Sequence, residues 1–259
     1  MSPPTPSIAY EQPLNERVRT LLRLEFLYRQ GRFGIAGESQ WHSRLALSTF
    51  IEVMDLLSRG DLRSELQKEL TRLSNTLRAL QETPAVDPSR LRAILSECEH
   101  LSERLRAGPY AIGSKMKDND FLKAVAQRSS ISGGTCSFDL PVYHRWLHLP
   151  PEDRCADLER WFASFDAAAE ATALILRLLR ESADATPEVA SSGTFQTTLD
   201  PATPYQMLRV ILTQGIQCYP EISGNRHFCN IRFLEQTSLE DHPRQVSADV
   251  EFRLERCVV

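Results

Sequence analysis

Apolar residues recur along this chain at two periods, and one gives way to the other near residue 190. Up to about residue 183 they return every three or four positions, the spacing of helices packed by one face. Residues 14–30 predict the first helix. Leu14, Val18, Leu21 and Leu22 line one side of it, with Arg19 and Arg23 nearly opposite and one turn apart, facing water or a partner. Glu25 falls inside the apolar stripe, where a carboxylate needs a cationic neighbour because an unpaired buried charge is costly. A structural ion pair explains it better than a catalytic acid does. The glycines from Gly31 to Gly37 predict a break.

Residues 40–58 predict a second helix and residues 61–81 a third, in which Leu66, Leu70, Leu73, Leu77 and Leu80 make a short heptad seam. Leu91, Ile94, Cys98, Leu101 and Leu105 repeat that seam in the next helix, opened by Asp87 as N-cap and Pro88 at the first helical position. Two such helices on a short loop pair as an antiparallel hairpin, or their seams meet a second copy. Further helices are predicted at residues 118–128, 140–149, 151–165 and 167–182.

Residues 182–192 are polar and read as a connection. Alternation beyond them predicts strands near residues 194–199, 205–213, 227–234 and 248–257. In the last, Val250, Phe252 and Leu254 alternate with charged neighbours, as in a half-buried antiparallel strand. If Leu208, Val210, Leu212, Cys229, Ile231 and Phe233 also turn inward, then Arg209, Arg232 and Arg253 share an outer face. That face suits a protein partner, or is a solvated face balanced by Asp249, Glu251 and Glu255. The predicted fold class is α+β. Residues 1–9 are a mobile N-terminus, residues 10–185 an α-helical domain, and residues 186–259 a smaller C-terminal antiparallel β-strand domain with one face packed on the helices.

The 259 residues suffice to bury a core without disulfide or metal staples. Thirty basic against 34 acidic side chains give a net charge of −4, which argues against a nucleic-acid partner. No apolar run approaches the roughly 18 residues of a membrane span, and residues 1–10 lack the features of a secretory signal, so a cytoplasmic location is expected. The six cysteines are scattered, with no C-x-x-C pair, and read as reduced thiols. Of the 30 basic residues 26 are arginine, the side chain suited to gripping carboxylates with two parallel hydrogen bonds.

No nucleotide-binding glycine motif and no G-x-S-x-G elbow is present. His144 and His148, spaced i, i+4, share a helix face and with Cys136 could ligate a metal, which makes a metal-dependent hydrolase the alternative function. The glutamate that such a motif requires after its first histidine is replaced by Arg145, and a cation beside a dication is unfavourable. No cofactor and no enzymatic activity is expected.

Several stretches carry a resemblance. Residues 130–141, Ser-Ile-Ser-Gly-Gly-Thr-Cys-Ser-Phe-Asp-Leu-Pro, continue to Trp-Leu-His-Leu-Pro at 146–150. With them go Tyr-Glu-Gln-Pro-Leu-Asn-Glu-Arg at 10–17, Arg-Leu-Glu-Phe at 23–26, Arg-Gly-Asp-Leu-Arg at 59–63, Tyr-Pro-Glu-Ile-Ser-Gly at 219–224 and Ile-Arg-Phe at 231–233. Together, in their order along the chain, they resemble the ZapD family of bacterial Z-ring-associated division proteins over nearly the whole chain.

The resemblance implies a helical domain plus a β domain, a homodimer, and a non-enzymatic role. In that role the protein binds the C-terminal tail of FtsZ, cross-links and bundles FtsZ filaments and stabilises the Z-ring at midcell, with no membrane or nucleic-acid partner. It implies a basic pocket for the tail at Arg23 and His144, with Arg19 one turn from Arg23. A further basic residue of the pocket aligns with Asp120, a departure for which Lys117 or Lys123 can substitute. Arg59, Arg63, Arg226 and Arg232 match positions linked to bundling.

Overall fold

The computed structural model describes residues 6–58, 61–81, 86–107 and 118–258. The chain divides into two compact units, one of Met1–Arg19 with Leu176–Val259 and one of Thr20–Ile175.

The first unit is built on two antiparallel sheets. β1 (Ser7–Pro13), β2 (Thr186–Ala190), β4 (Tyr205–Thr213) and β8 (Val250–Val258) form one, in the order β1-β4-β8-β2. β3 (Thr194–Thr198), β5 (Cys218–Gly224) and β6 (Phe228–Glu235) form the other, in the order β3-β6-β5, with the short β7 (Arg244–Gln245) also pairing β6. The alternation in β4, β6 and β8 dictates how the sheets meet. Leu208, Val210, Leu212, Val250, Phe252 and Leu254 join Cys229, Ile231 and Phe233 in one buried cluster. Phe252 is its centre, 5.2 Å from the Phe233 ring and 5.3 Å from that of Phe195. The apolar faces of two sheets therefore cover each other, where the sequence predicts a single sheet.

Two further expectations are corrected. Residues 7–9, expected to be mobile, belong to β1, whose register with β4 runs from Ser7↔Thr213 to Pro13↔Met207. Arg209, Arg232 and Arg253 do not share one face, because Arg232 belongs to the second sheet and the other two to the first. The register places Glu11, Arg209 and Glu255 side by side across β1, β4 and β8. Arg209 bonds both carboxylates, with its Nε–H 2.9 Å from Glu11, and is largely buried between them. It holds strands together and offers no partner surface.

The helical unit contains most of α1 (Glu16–Ala36), then α2 (Gln40–Ser58), α3 (Leu62–Ala79), α4 (Pro88–Ala107), α5 (Asp120–Ser129), α6 (Pro141–Leu147), α7 (Pro151–Phe162) and the larger part of α8 (Asp166–Glu181). Local signals open several of them. Asp61 accepts from the Ser64 amide at 3.1 Å, Asp87 from Ser89 at 2.8 Å, and Asn119 from Leu122 at 3.1 Å. Pro141 and Pro151 begin α6 and α7. α3 and α4 form the antiparallel hairpin, clasped by Arg78 on Glu99 at 2.8 Å and by Arg63 on the Arg106 carbonyl. In α4 it is Leu95, not Ile94, that is buried beside Cys98, since a 3.6-residue turn drifts from a strict heptad. No described helix is long and apolar enough to cross a membrane.

The predicted break after residue 30 is absent, and α1 runs to Ala36. Gly31 and Gly34 serve close packing instead. A Cβ on Gly31 would lie 2.4 Å from the Phe162 ring, and one on Gly34 would lie 2.8 Å from the Ala46 amide nitrogen. Phe162 belongs to a buried ring cluster, 5.5 Å from Phe50 and 6.1 Å from Phe165. Glu25 is nearly buried and pairs with Arg29 at 3.0 Å, as its place in the apolar stripe demanded.

Candidate functional site

The described residues expected to form the basic pocket lie on α1, α5 and α6, with α2 packed on α5 and α6. In α1, Val18, Leu21 and Leu24 are buried and leave Arg23 exposed on the opposite side. Arg19, one turn earlier, is held by Glu16 at 3.2 Å. α6 is short and anchored by its apolar residues. Tyr143, Trp146 and Leu147 are buried, and the Tyr143 and Trp146 rings meet Phe121 of α5 at 6.1 and 5.6 Å. His144 lies between these anchors on the exposed side. Its carbonyl accepts from His148 Nδ1 at 2.8 Å, and the two imidazoles meet at a tilt of 56° with centroids 4.4 Å apart.

Two arginines that sequence reasoning passed over fix α6. Arg44 of α2 places its guanidinium over the Tyr143 ring, 5.0 Å from the centroid, and over Trp41, 5.5 Å from the centroid. Burial pushes the Tyr143 phenol up to about 12, against the opposing pull of the Arg44 charge and hydrogen bond. Arg154 of α7 is only 4% exposed. It donates to the Ser43 hydroxyl at 3.0 Å, to the Leu147 carbonyl at 3.1 Å, and to the carbonyls of Leu149 and Glu38. These oxygens include the orphan carbonyls at the end of α6, where a cation also suits the helix dipole. The signal for Arg154 was its spacing with Leu158 and Trp161, which puts it on the buried side of α7. For Arg44 it was the i, i+3 spacing from Trp41.

The remaining predicted residues are dispersed. Lys123 is exposed and 3.7 Å from Asp120, so the departure at Asp120 draws the neighbouring lysine to itself. Lys117 and Arg59 lie outside the described residues. Arg63 is engaged with the Arg106 carbonyl. Arg226 and Arg232 belong to the β unit. Arg226 is exposed and bonds the His227 ring at 2.9 Å, and Arg232 is exposed 4.0 Å from Glu221. Among the described residues no group of three or more His, Cys, Asp or Glu side chains could hold a metal ion, so His144, His148 and Cys136 do not assemble the ligand set of the alternative hydrolase.

The surface that results presents cations and imidazoles on helices. Comparison with known proteins gives the same direction. The sequence model of the ZapD family, described as cell division protein, matches residues 22–232. Cell division protein ZapD of Methylococcus capsulatus is 42% identical over 252 residues, covering 97% of this chain and 98% of that one. The proteins of the same name from Ralstonia pickettii and Janthinobacterium sp. are 40% and 38% identical, each over 96% of this chain and 99% of theirs. A match of that extent makes this protein a member of the ZapD family of cell division proteins.

Proposed function

We propose that this protein binds the C-terminal tail of FtsZ and, as a homodimer in the cytoplasm, cross-links FtsZ filaments and stabilises the Z-ring at midcell. The observation that carries the reading is membership of a cell division family over nearly the full length of the chain. Arg23 and His144 are both exposed on helices of one unit. A disordered tail bearing acidic and apolar residues makes a small interface and loses conformational entropy on binding, so micromolar affinity per site is expected. Arginine–carboxylate pairs give it direction, and charge attraction speeds encounter.

Bundling follows from valence. A dimer offers two tail sites and a filament offers many tails, so weak sites add into firm cross-links. Arg226 and Arg232, exposed on the β unit, and Arg63 and Arg59 serve filament contact in this reading. No chemical step is involved.

The test is cosedimentation of the purified protein with polymerised FtsZ, full-length or lacking its tail. Pelleting with the full-length filaments and a loss of it with the tailless ones is the expected result. Equal pelleting with both overturns tail binding.

A further inference from the structure

Trp41, in the first turn of α2, is 78% exposed, whereas Trp146 and Trp161 are 7% and 5% exposed. An indole so open to water offers a partner a large rigid apolar face. It is also braced, because the Arg44 guanidinium lies against it and against Tyr143, and reaches the Thr135 hydroxyl at 3.4 Å. Phe33 is 65% exposed and its ring is 5.7 Å from that of His42, the residue after Trp41.

Arg44 differs from other arginines of this unit. Arg29, Arg32 and Arg128 each face a carboxylate, on Glu25, Glu159 and Asp139. Among the described residues no carboxylate lies within ion-pair distance of Arg44, whose partners are the Trp41 ring, the Tyr143 ring and phenol, and the Thr135 hydroxyl. A half-buried guanidinium held in place without an anion is preorganised to receive one. Tyr143, whose ring Arg44 also overlies, directly precedes His144 in α6.

We propose that Phe33, Trp41 and Arg44 form an aromatic and cationic subsite, continuous with His144, that takes an apolar side chain and a neighbouring carboxylate of an acidic peptide. The proposal rests on the tail-binding reading above, and names where the apolar part of the tail docks. Charge selects this occupant. A second copy laid on the same patch would set its Arg44 and His144 against these, like against like, whereas an acidic peptide brings the missing anion. The aromatic faces contribute desolvated area and Arg44 the orientation, the pairing typical of interface anchors.

The experiment uses the whole chain and a synthetic FtsZ tail peptide, and Trp41 is its own reporter, since the other two indoles are buried. At peptide saturation, tryptophan emission should move to shorter wavelength and acrylamide quenching should fall. Trp41→Ala and Arg44→Met should each weaken peptide affinity about five- to tenfold, with the dimer intact by light scattering. His144→Ala is measured beside them. Unchanged quenching on a saturated protein, together with wild-type affinity in both variants, overturns the subsite. If His144→Ala alone weakens binding, tail binding stands and the subsite falls; if the wild-type protein ignores the peptide, both fall. A Trp41→Ala protein that becomes monomeric yet binds peptide normally assigns the patch to a second copy and overturns the proposal.

Discussion

Arg154 of α7 donates its Nε–H to the hydroxyl of Ser43 on α2 at 3.0 Å, and both residues are buried. Three further N–H groups of the same guanidinium go to backbone carbonyls at Glu38, Leu147 and Leu149. One buried cation thus ties the start of α2 and the end of α6 to α7. Arg154→Met keeps the aliphatic stem but strands the buried Ser43 hydroxyl and Leu147 carbonyl, each of which costs free energy when left unbonded. The expected loss is about 3 kcal/mol, read from urea denaturation. His144 should move with it, because Leu147 and Leu149 end the helix that carries His144. Unaltered stability in the variant would remove Arg154 from this role.

The polar side of α1 makes the opposite prediction. Arg23 is exposed, so Arg23→Glu should alter folding stability by no more than about 0.5 kcal/mol. If Arg23 belongs to the tail site, the reversed charge should weaken peptide affinity at least about tenfold, most steeply at low salt where attraction is least screened. Melting temperature and fluorescence anisotropy on the same preparation separate the outcomes. A folded variant with undiminished affinity excludes Arg23 from the site, and a large drop in melting temperature assigns it to packing.

What the sequence made legible follows from where each element gets its information. The central strands β4, β6 and β8 carry their own alternation and were found from it. The missed strands β1, β2 and β5 lie at sheet edges, and β2 and β5 contain Pro187 and Pro220, residues that argue against a strand unless it has an open side. β1 gains its identity from β4, about two hundred residues further along the chain, which no local window can reveal. Gly31 and Gly34 have the composition of a break but the role of a close contact. In the site, the exposed Arg23 and His144 were readable from helix phase. Arg154 was not singled out because arginine is rarely buried, and only the ring of oxygens around it makes that burial tolerable.

β1 also brings a pH dependence. Burial alone would raise the Glu11 carboxyl, but the hydrogen bonds and charges of Arg180 and Arg209 outweigh it and hold the group below the usual carboxylate range. Arg180 grips it with two bonds, at 2.8 and 3.0 Å, and its side chain is 20% exposed. A carboxylate depressed in the folded state contributes stability above its ordinary pKa and loses it as the pH falls through the lower, folded value. The wild-type protein should therefore lose stability below about pH 4.5, and Glu11→Gln should lose part of that dependence along with roughly 2 kcal/mol at neutral pH. Denaturation midpoints at neutral and acid pH check both. Equal acid sensitivity in the two proteins would show that other carboxylates carry it.

Gly31 sets two general effects against each other. Glycine in a helix interior is worse than alanine by about 1 kcal/mol, so Gly31→Ala should stabilise α1 on propensity alone. The new methyl, however, would lie 2.4 and 2.5 Å from Cε1 and Cζ of Phe162. That ring has nowhere to go, because Phe162 is fully buried with Phe50, Phe165 and Tyr28 packed around it. Overpacking of a rigid core costs about 1 to 3 kcal/mol and wins, so Gly31→Ala should be destabilising. The cause can be isolated with Phe162→Leu, which removes the atoms that clash. Phe162→Leu is itself destabilising, but adding Gly31→Ala to it should cost little or even help, giving a coupling of about 1 kcal/mol or more in a double-mutant cycle. Additive losses would mean that Gly31 is required for something other than the Phe162 ring, and a stabilising Gly31→Ala would mean that α1 can shift away from α7 at little cost.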